Sequence, residues 1–320
     1  IYVRTDANGY YEVQQLPPGI YEVVEINIYP SNGVDPLAGY LDGKDSVGMV
    51  GATTVGVQSN DRFSQIELCA GDDGVQYYFG ELKPVQVSGY VSVETPEGDC
   101  LDPTDPNYVG IGGVTIELYN DQGALVAATQ TNGFGYYEFS ELPPGTYTLV
   151  EVQPEGYLNG HHSVGRVDGQ AVGNADSTDR ISDIVLTSGS EGSRYDFCEQ
   201  IPADLCGTVY HDRNNNGAQD SGEEGIEGVR MQLLDANGKV IAEQFTDSQG
   251  DYCFEVLYAG EYCVQEFQPT GYLDGLDQAG TVAGVTQGTA SNDKISNINL
   301  LGGDSGQNYD FGEIQPADLC

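Results

Sequence analysis

The segment from Asp212 to Glu223 has the residue types and the spacing of a calcium-binding loop. It reads DRNNNGAQDSGE and satisfies the pattern D-x-[DN]-x-[DN]-G-x5-E of EF-hand loops. Calcium prefers six to eight oxygen ligands, which a tight loop supplies from alternate residues. The flanking segments 209–210 and 226–229 have the composition of strands, so an EF-hand-like loop inside a β-sandwich is expected. An acidic turn without metal is the alternative. The predicted ligands are the side chains of Asp212, Asn214, Asn216, Asp220 and Glu223 and the main-chain carbonyl of Ala218.

A weaker candidate site is a set of aspartates that recurs along the chain at one spacing. Asp277 precedes Asp293 by sixteen residues, and Asp274 lies just upstream. Because aspartates also cap turns, a turn-capping role is the alternative to calcium binding. The equivalent positions are Asp42, Asp45 and Asp61 earlier in the chain, and Asn159, His162 and Asp179 between the two sets.

Seven cysteines in an acidic chain that looks secreted suggest disulfides. Alignment of the repeats described below places Cys253 and Cys263 on neighbouring strands of one hairpin, with both side chains facing outward. A disulfide between these two cysteines is therefore predicted. Cys198 and Cys206 bracket a joint between repeats and could bond to each other or elsewhere. The partners of the remaining cysteines, Cys69, Cys100 and Cys320, are left open.

Catalytic chemistry is not predicted. The chain has three histidines, and none accompanies a plausible nucleophile in every repeat. Carboxylates are so numerous that no general acid–base pair stands out. In addition, an active site is needed once, whereas a spacer is useful many times.

Three copies of one sequence pattern position these residues. GYYEVQQLPPGIYEVVE at 9–25 returns as GYYEFSELPPGTYTLVE at 135–151 and as GDYCFEVLYAGEYCVQE at 250–266. The closing motifs YYFGE, YDFCE and YDFGE are centred on phenylalanines 118 and 114 residues apart. A period of about 115 residues suits independent domains rather than turns of a solenoid. The predicted domains are residues 1–86, which lack their opening strands, 87–202 and 203–316, followed by the start of a fourth repeat at 317–320.

Within each repeat, apolar and polar residues alternate with period two between clusters of Gly, Pro, Asn and Asp. Val114, Ile116 and Leu118 exemplify one such strand, and no segment shows a sustained helical period. This pattern predicts an all-β chain of tandem antiparallel two-sheet sandwiches. The joints are short and contain Pro84 and Pro202, which predicts a semi-rigid rod.

The charge balance restricts the partners. Eleven basic residues face 50 acidic ones, for a net charge of −39. Such a chain repels nucleic acid and anionic membrane surfaces. No apolar run approaches the ~20 residues of a membrane helix. Divalent cations would relieve the self-repulsion.

The ordered motifs resemble a known family. The pattern G-x-Y-x-F-x-x-L-x-P-G-x-Y-x-L-x-E, the D-x-N-x-N-G loop and the closing Y-D-F-G-E are similar to the B-type repeats of serine–aspartate-repeat adhesins (SdrD B-like), within the collagen-adhesin B-type (Cna-B-like) superfamily. The third repeat matches from Gly207 to Glu313. The resemblance implies transthyretin-like or inverse immunoglobulin-like sandwiches, bound calcium, and a stalk on a bacterial surface.

Many domains of that superfamily carry a Lys–Asn isopeptide bond promoted by a glutamate at the position of Glu25, Glu151 or Glu266. The second repeat has no lysine between residues 87 and 202, and the strand at 229–234 also lacks one. No isopeptide bond is therefore expected, and the three glutamates are expected to be ordinary strand or turn carboxylates.

The predicted function is a structural repeat region of a secreted bacterial stalk, fibre or filament, stiffened by Ca2+ and disulfides and able to self-associate. The alternative is an adhesive or carbohydrate-binding module with a host or matrix ligand. A binding face should differ in one repeat only, and loops 94–110 and 157–179 of the second repeat differ most.

Overall fold

Alternating sequences form strands throughout the chain. The computed structural model describes residues 1–26, 37–95, 98–176 and 179–317. The strands are short and connected by turns, and these ranges hold no helix, hence none long and apolar enough to cross a membrane. The predicted all-β class is confirmed. Residues 318–320, where a fourth repeat is predicted to begin, lie outside the described residues.

The chain divides into two compact units. One consists of residues 1–86 with 140–144 and 186–190, and the other of 87–139, 145–185 and 191–320. The boundary between the second and third repeats stays a prediction.

In residues 1–26 and 37–84, the first repeat contains eight strands, of which β1 and β6 are the longest. The sheets are β1-β6-β5, β2-β8 and β4-β3-β7. Phe63, Ile66 and Tyr77 form the centre of its small core. The strands are β1 (Gly19–Val24), β2 (Leu41–Asp42), β3 (Met49–Val50), β4 (Thr53–Thr54), β5 (Val57–Ser59), β6 (Arg62–Leu68), β7 (Gly74–Val75) and β8 (Glu81–Leu82).

The second repeat forms two facing sheets. One has the order β11-β10-β13-β18-β17, and the other β14-β20-β9-β19-β15-β16 with β12 also paired to β9. The strands are β9 (Val85–Val93), β10 (Thr115–Asn120), β11 (Leu125–Gln130), β12 (Tyr136–Leu142), β13 (Gly145–Glu151), β14 (Leu158–Ser163), β15 (Arg166–Val167), β16 (Gln170–Ala171), β17 (Asn174–Ala175), β18 (Arg180–Leu186), β19 (Glu191–Ser193) and β20 (Asp196–Gln200).

The third repeat has the same architecture. Its sheets are β23-β22-β25-β30-β29 and β26-β32-β21-β31-β27-β28, with β24 also paired to β21. The strands are β21 (Ala203–His211), β22 (Arg230–Asp235), β23 (Val240–Phe245), β24 (Asp251–Leu257), β25 (Gly260–Glu266), β26 (Leu273–Gln278), β27 (Thr281–Val282), β28 (Val285–Thr286), β29 (Thr289–Ser291), β30 (Lys294–Leu300), β31 (Ser305–Gln307) and β32 (Asp310–Ile314).

In both complete sandwiches the first and last long strands lie side by side and run parallel, β9 with β20 and β21 with β32. This first–last pairing, like the parallel pairing of β21 with β31, departs from the predicted antiparallel order. It brings the end of the first strand next to the end of the last, and the main-chain N–H of Asp212 donates to the carbonyl of Glu313 at 2.8 Å. The acidic loop and the closing motif are therefore neighbours.

The core of the third sandwich lies between its two sheets. Met231, Leu233, Val264 and Ile298 are fully buried there. The side chains at these alternate positions point inward because successive residues of a strand face opposite sides of the sheet. The buried hydroxyl of Tyr252 donates to the carbonyl of Tyr309 at 2.6 Å, which avoids an unpaired polar group in the core.

Candidate metal centres

The predicted calcium loop of the third repeat connects β21 to the turn before β22 and is closed by its own carboxylates. Asp212 is fully buried, and its two carboxylate oxygens accept from the main-chain N–H of Asn216 at 3.2 Å and of Gly217 at 2.8 Å. Glu223 accepts from the N–H of Arg213 and of Asp220, both at 2.8 Å. The two ends of the motif therefore face the same turn, as the sequence predicts.

The middle of the loop is held by amide–carboxylate contacts. Asn214 and Asn216 both donate their side-chain amides to the same oxygen of Asp220 at 2.9 Å. Rotating the two amides by 180° would present oxygens instead. Within the described part of the chain, no group of three acidic, His or Cys side chains with ligand atoms within 4.8 Å of one another includes a residue of this loop. The donor set suits calcium, but the carboxylates would have to converge further to bind it.

A more convergent set of carboxylates lies at the end of the third sandwich. Ligand oxygens of Glu266 on β25, of Asp293 just before β30 and of Glu313 on β32 lie within 4.8 Å of one another. The side chains of Glu266 and Glu313 are almost completely inaccessible to solvent, at 1% and 0%. Asp274 and Asp277 on β26 contribute charge to the same place, because each raises the pKa of Glu266. Asp274, Asp277 and Asp293, the weaker metal ligands predicted from the sequence, therefore all lie in or near this cluster.

Six buried oxygens in this cluster lack a hydrogen-bond partner. They are both carboxylate oxygens of Glu266 and one each of Asp274, Asp277, Asp293 and Glu313. Burial, reinforced by the neighbouring negative charges, raises the pKa of Glu266 to about 10, of Glu313 to about 8 and of Asp277 to about 7. Buried ionised carboxylates without partners are costly, so these groups must either hold protons or share a cation. An all-oxygen donor set suits a hard cation such as calcium.

The first repeat has the same arrangement. Glu25, Asp61 and Glu81 bring ligand oxygens within 4.8 Å of one another, and Asp42 is paired opposite Glu81. Asp45 is buried, and its carboxylate accepts from the main-chain N–H of Asp61 at 3.0 Å. The turn-capping alternative therefore describes Asp45, which lies next to the converging carboxylates of this repeat.

The second repeat has a cluster at the same position of the fold, but its ligand types are different. Glu151, His162 and Asp179 form its cluster, and Glu199 lies beside Glu151. Burial lowers the pKa of His162 and raises the pKa of Asp179. In all three repeats, the aspartate before the long strand has a left-handed backbone, with φ values of 55°, 53° and 54° for Asp61, Asp179 and Asp293.

The expectation that Glu25, Glu151 and Glu266 are ordinary strand or turn carboxylates is wrong. Glu151 and Glu266 are 3% and 1% exposed, and neither carboxylate has a hydrogen-bond partner. Sequence reasoning also missed Glu81, Glu199 and Glu313. The signal was available, because each repeat ends one long strand and its closing motif with a glutamate. These glutamates lie far apart in sequence and on strands of different sheets, so their proximity depends on how the sheets pack.

The predicted disulfide between Cys253 and Cys263 is also wrong. Cys253 bonds to Cys206, with the two Cα atoms 4.1 Å apart. The strands β24 and β25 are consecutive but belong to different sheets, since β24 pairs with β21 and β25 pairs with β22 and β30. Cys263 is buried and has a free thiol.

The loop of the second repeat is secured by a different bond. Cys100, in the loop after β9, forms a disulfide with Cys198 on β20. Arg194 forms ion pairs with Asp102 of the same loop and with Asp196. This region corresponds to the calcium loop of the third repeat, but its spacing is broken. Glu97, the first residue of the corresponding segment, lies outside the described residues.

The same end of the second sandwich carries an open aromatic pocket of about 400 Å³. Tyr90 packs against Tyr108 and Tyr136, with ring centroids 6.2 and 5.3 Å apart. Phe134 on its rim is 78% exposed. The lining residues are Tyr90, Pro103, Tyr108, Asn132, Phe134 and Tyr136.

Known proteins contain domains that are similar to these repeats. The SdrD B-like domain family matches residues 102–198 and 203–313. Serine-aspartate repeat-containing protein F of Staphylococcus epidermidis is 30% identical over 276 residues, which are 84% of this chain and 15% of that protein. Serine-aspartate repeat-containing protein D of Staphylococcus aureus (strain Newman) is 31% identical over 273 residues, again 84% of this chain and 19% of that protein. A solved streptococcal ancillary pilin is 13% identical, with a TM-score of 0.35 over 86% of this chain and 75% of that chain.

The chain spans less than a quarter of the length of the curated relatives it matches. The resemblance drawn from the motifs is confirmed, and with it a location outside the cell on the bacterial surface. The family match covers most of the second and third sandwiches, and the clusters of these two repeats lie within the matched residues. The chain belongs to the SdrD B-like domain family.

Proposed function

We propose that this chain is a non-catalytic structural segment of a bacterial surface stalk or fibre, in which calcium and disulfides stiffen the individual sandwiches. The observation that carries the proposal is a cluster of acidic side chains, joined by His162 in the second repeat, which recurs at one position of the fold in all three repeats. A cluster that is repeated in every repeat is expected to stabilise each repeat separately, as a structural metal site does.

The physical argument begins with the cost of the clusters. In the third repeat, Glu266 and Glu313 place two fully buried carboxyl groups beside Asp293. In the absence of a cation, repulsion and desolvation disfavour the charged, folded form at neutral pH. A divalent cation offsets both terms and ties β25, β32 and the start of β30 together, because its ligands come from these three places.

Calcium would be held at two places in the third repeat. The cluster would use the oxygens of Glu266, Asp293 and Glu313, with Asp274 and Asp277 close by. The loop would use the six ligands predicted from its sequence, after the Asn214 and Asn216 amides turn their oxygens inward. When bound, calcium supplies charge neutralisation and cross-linking, and no reaction is implied.

Contacts at the joint between the second and third sandwiches support a stiff segment. The side-chain oxygen of Gln200 accepts from the main-chain N–H of Ala259 at 2.9 Å. The carbonyl of Ile201 accepts from the N–H of Gly303 at 2.9 Å. Together with Pro202, these bonds restrict the short segment between the two sandwiches.

Self-association into a fibre belongs to the same proposal. Within the described residues, β1 pairs with β6 alone, whereas its equivalents β13 and β25 are paired on both sides. A strand from another part of the assembly could pair with the second edge of β1.

The test is unfolding of the whole chain with and without calcium. We expect EGTA to lower the free energy of unfolding of the third sandwich by about 4 kcal/mol relative to calcium at ~1,000-fold excess over its dissociation constant. Hydrogen–deuterium exchange resolved by peptide assigns the loss to individual repeats. Small-angle scattering measures whether the chain becomes more flexible.

A matched pair of variants separates the cluster from general acidity. The double substitution Glu266→Gln with Glu313→Gln should remove most of the calcium response of the third sandwich. Glu261→Gln changes an exposed glutamate on the same strand and should preserve that response. An EGTA effect that is absent in the wild-type chain, or equal in both variants, would contradict the calcium lock.

We also propose a second candidate function, an adhesive site for a carbohydrate or another ligand with flat apolar faces. The aromatic pocket of the second sandwich favours it, because Tyr90, Phe134 and Tyr136 are replaced by Thr208, Gln249 and Asp251 in the third. A glycan array probed with the wild-type chain and with Phe134→Ala tests this function. Phe245→Ala, which removes an exposed phenylalanine of the third sandwich, is the control. Binding that is absent, or insensitive to Phe134→Ala, would count against the adhesive site.

A further inference from the structure

The cluster of the second repeat differs from its two counterparts by one nitrogen ligand. His162 on β14 occupies the place of Asp45 in the first repeat and Asp277 in the third. Its imidazole is joined there by carboxylate oxygens of Glu151 and Asp179, all within 4.8 Å of one another. The site therefore combines one imidazole with two carboxylates, where the other repeats offer oxygens alone.

The groups in this cluster are buried and aimed at one another. The side chain of His162 is 1% exposed, and its Nδ1 atom has no hydrogen-bond partner. Both carboxylate oxygens of Glu151 and one of Glu199 are likewise buried without partners. Unpaired polar atoms at this depth are costly, and a cation bound among them would offset that cost.

The spacing suits a small cation. The Nε2 atom of His162 lies 3.5 Å from Oδ1 of Asp179. Two ligands in tetrahedral positions around zinc, with bonds of about 2.0–2.2 Å, lie roughly 3.4 Å apart. Neighbouring calcium ligands lie at a similar separation, so the choice between the two metals rests on the imidazole nitrogen and not on this distance.

The imidazole is also fixed in place as a metal ligand would be. Its ring packs edge-on against Phe197 on the neighbouring strand β20, with centroids 5.2 Å apart. The main-chain N–H of Asp179 donates to Nε2 at 3.2 Å, so Nε2 has a lone pair and no proton, and it would exchange this hydrogen bond for a bond to a metal ion. Gln153 donates to Glu199 and orients that carboxylate beside Glu151.

We propose that the second sandwich holds a transition-metal ion of the zinc class, ligated by Glu151, His162 and Asp179, at the position where the first and third sandwiches have oxygen-only clusters. Imidazole binds zinc, cobalt and nickel well, whereas calcium and magnesium prefer oxygen. The chain would thus contain two classes of metal site in one fold. This inference does not depend on calcium binding elsewhere, since it rests on the nitrogen ligand.

The experiment uses Co2+ as a visible probe, with Zn2+ as competitor and excess Ca2+ present to saturate oxygen-only sites. Accessible thiols are alkylated first, because Cys69 is exposed and could bind Co2+ itself. We expect the wild-type chain to bind one equivalent of Co2+ that Zn2+ displaces. His162→Asp should weaken this binding by at least about tenfold while the sandwich stays folded, since aspartate is native at this position in both other repeats.

Reciprocal and control variants make the result decisive. Asp277→His should create a second Co2+ site in the third sandwich. His161→Gln removes the adjacent histidine, whose side chain is 74% exposed, and should leave Co2+ binding unchanged. The proposal is overturned if wild-type chain binds no Co2+, or if His162→Asp binds it as tightly as wild type. Shifts of the His162 imidazole nitrogens in NMR spectra on adding Zn2+ provide a second readout that is independent of stability.

Discussion

The second and third sandwiches share one topology but secure the same end of the fold by different chemistry. In the third, the loop after the first strand is acidic and closes on Asp212 and Glu223. In the second, the corresponding loop is bonded through Cys100 to Cys198. Both sandwiches connect the start of this loop to the last strand by a main-chain hydrogen bond, from Glu94 to Glu199 at 2.9 Å and from Asp212 to Glu313 at 2.8 Å, and the second adds the disulfide. The fold therefore requires an anchored loop at this end, but the groups that anchor the loop differ between the two sandwiches.

The residue types of the buried clusters also differ between the two sandwiches. Asp274 and Asp277 of the third sandwich correspond to Asn159 and His162 of the second, while the glutamates at the strand ends are kept. The net negative charge of the cluster is therefore smaller in the second sandwich. The second sandwich should depend on its disulfide, and the third more on calcium.

Removal of the loop disulfide gives the largest expected effect. Cys100 and Cys198 are 98 residues apart, and closing a loop of that length stabilises a protein by about 4–5 kcal/mol in the chain-entropy model. The paired substitution Cys100→Ser with Cys198→Ser should therefore destabilise the second sandwich by about that amount. Denaturant unfolding monitored by peptide-resolved hydrogen exchange measures the loss.

The control for this prediction is the disulfide of the third sandwich. Cys206→Ser with Cys253→Ser opens a loop of 47 residues and should cost about 4 kcal/mol in the third sandwich, with the second unchanged. If the first pair of substitutions destabilised both sandwiches equally, the proposed division between the two anchors would not hold.

The sequence predicted the strands well and the clusters only in part. Alternation correctly identified the strands that contain Ile116, Phe139 and Leu149, because one face of each strand must be buried. It could not show that consecutive strands such as β24 and β25 enter different sheets, and this led to the wrong partner for Cys253. Local spacing reveals a strand, whereas sheet assignment depends on long-range packing.

The metal centres illustrate the same limit. The loop from Asp212 to Glu223 is continuous, so its pattern was visible in the sequence. The cluster around Glu266 draws on strands almost 50 residues apart, and its two glutamates belong to motifs that looked structural. Repetition of Asp277 and Asp293 at constant spacing was the available clue. This clue located the region of the cluster but not Glu266 and Glu313, which are its most deeply buried residues.

The next prediction concerns pH. In the metal-free third sandwich, burial raises the pKa of Asp277 to about 7, of Glu313 to about 8 and of Glu266 to about 10. The folded state therefore binds more protons than the unfolded state above about pH 4.5, and stability must fall as the pH rises through these values. We expect a loss on the order of a few kcal/mol between about pH 5 and pH 9 in EGTA.

Calcium should weaken or reverse this trend, because the ion binds the deprotonated carboxylates and its affinity rises with pH. Denaturation midpoints of the wild-type chain across this range, with EGTA and with Ca2+, give the comparison. The Glu266→Gln and Glu313→Gln double variant should show a flatter profile in EGTA. Metal-free stability that increases from pH 5 to pH 9 would refute the assignment of these groups.

The smallest expected effect isolates the loop from the cluster. Gly217 and Gly238 both have left-handed backbones, with φ of 74° and 77°. Alanine in this region costs about 1–2 kcal/mol, so Gly217→Ala and Gly238→Ala should destabilise the third sandwich by similar amounts in EGTA. A β-carbon at Gly217 would also lie 3.2 Å from Cβ of Leu276, whereas one at Gly238 would have no atom within 4 Å. Only Gly217→Ala should weaken calcium binding, measured by calorimetric titration, because Gly217 forms the sharp turn on which Asp212 closes the loop. Equal calcium affinities for the two variants would show that the third sandwich binds calcium through its buried cluster and not through this loop.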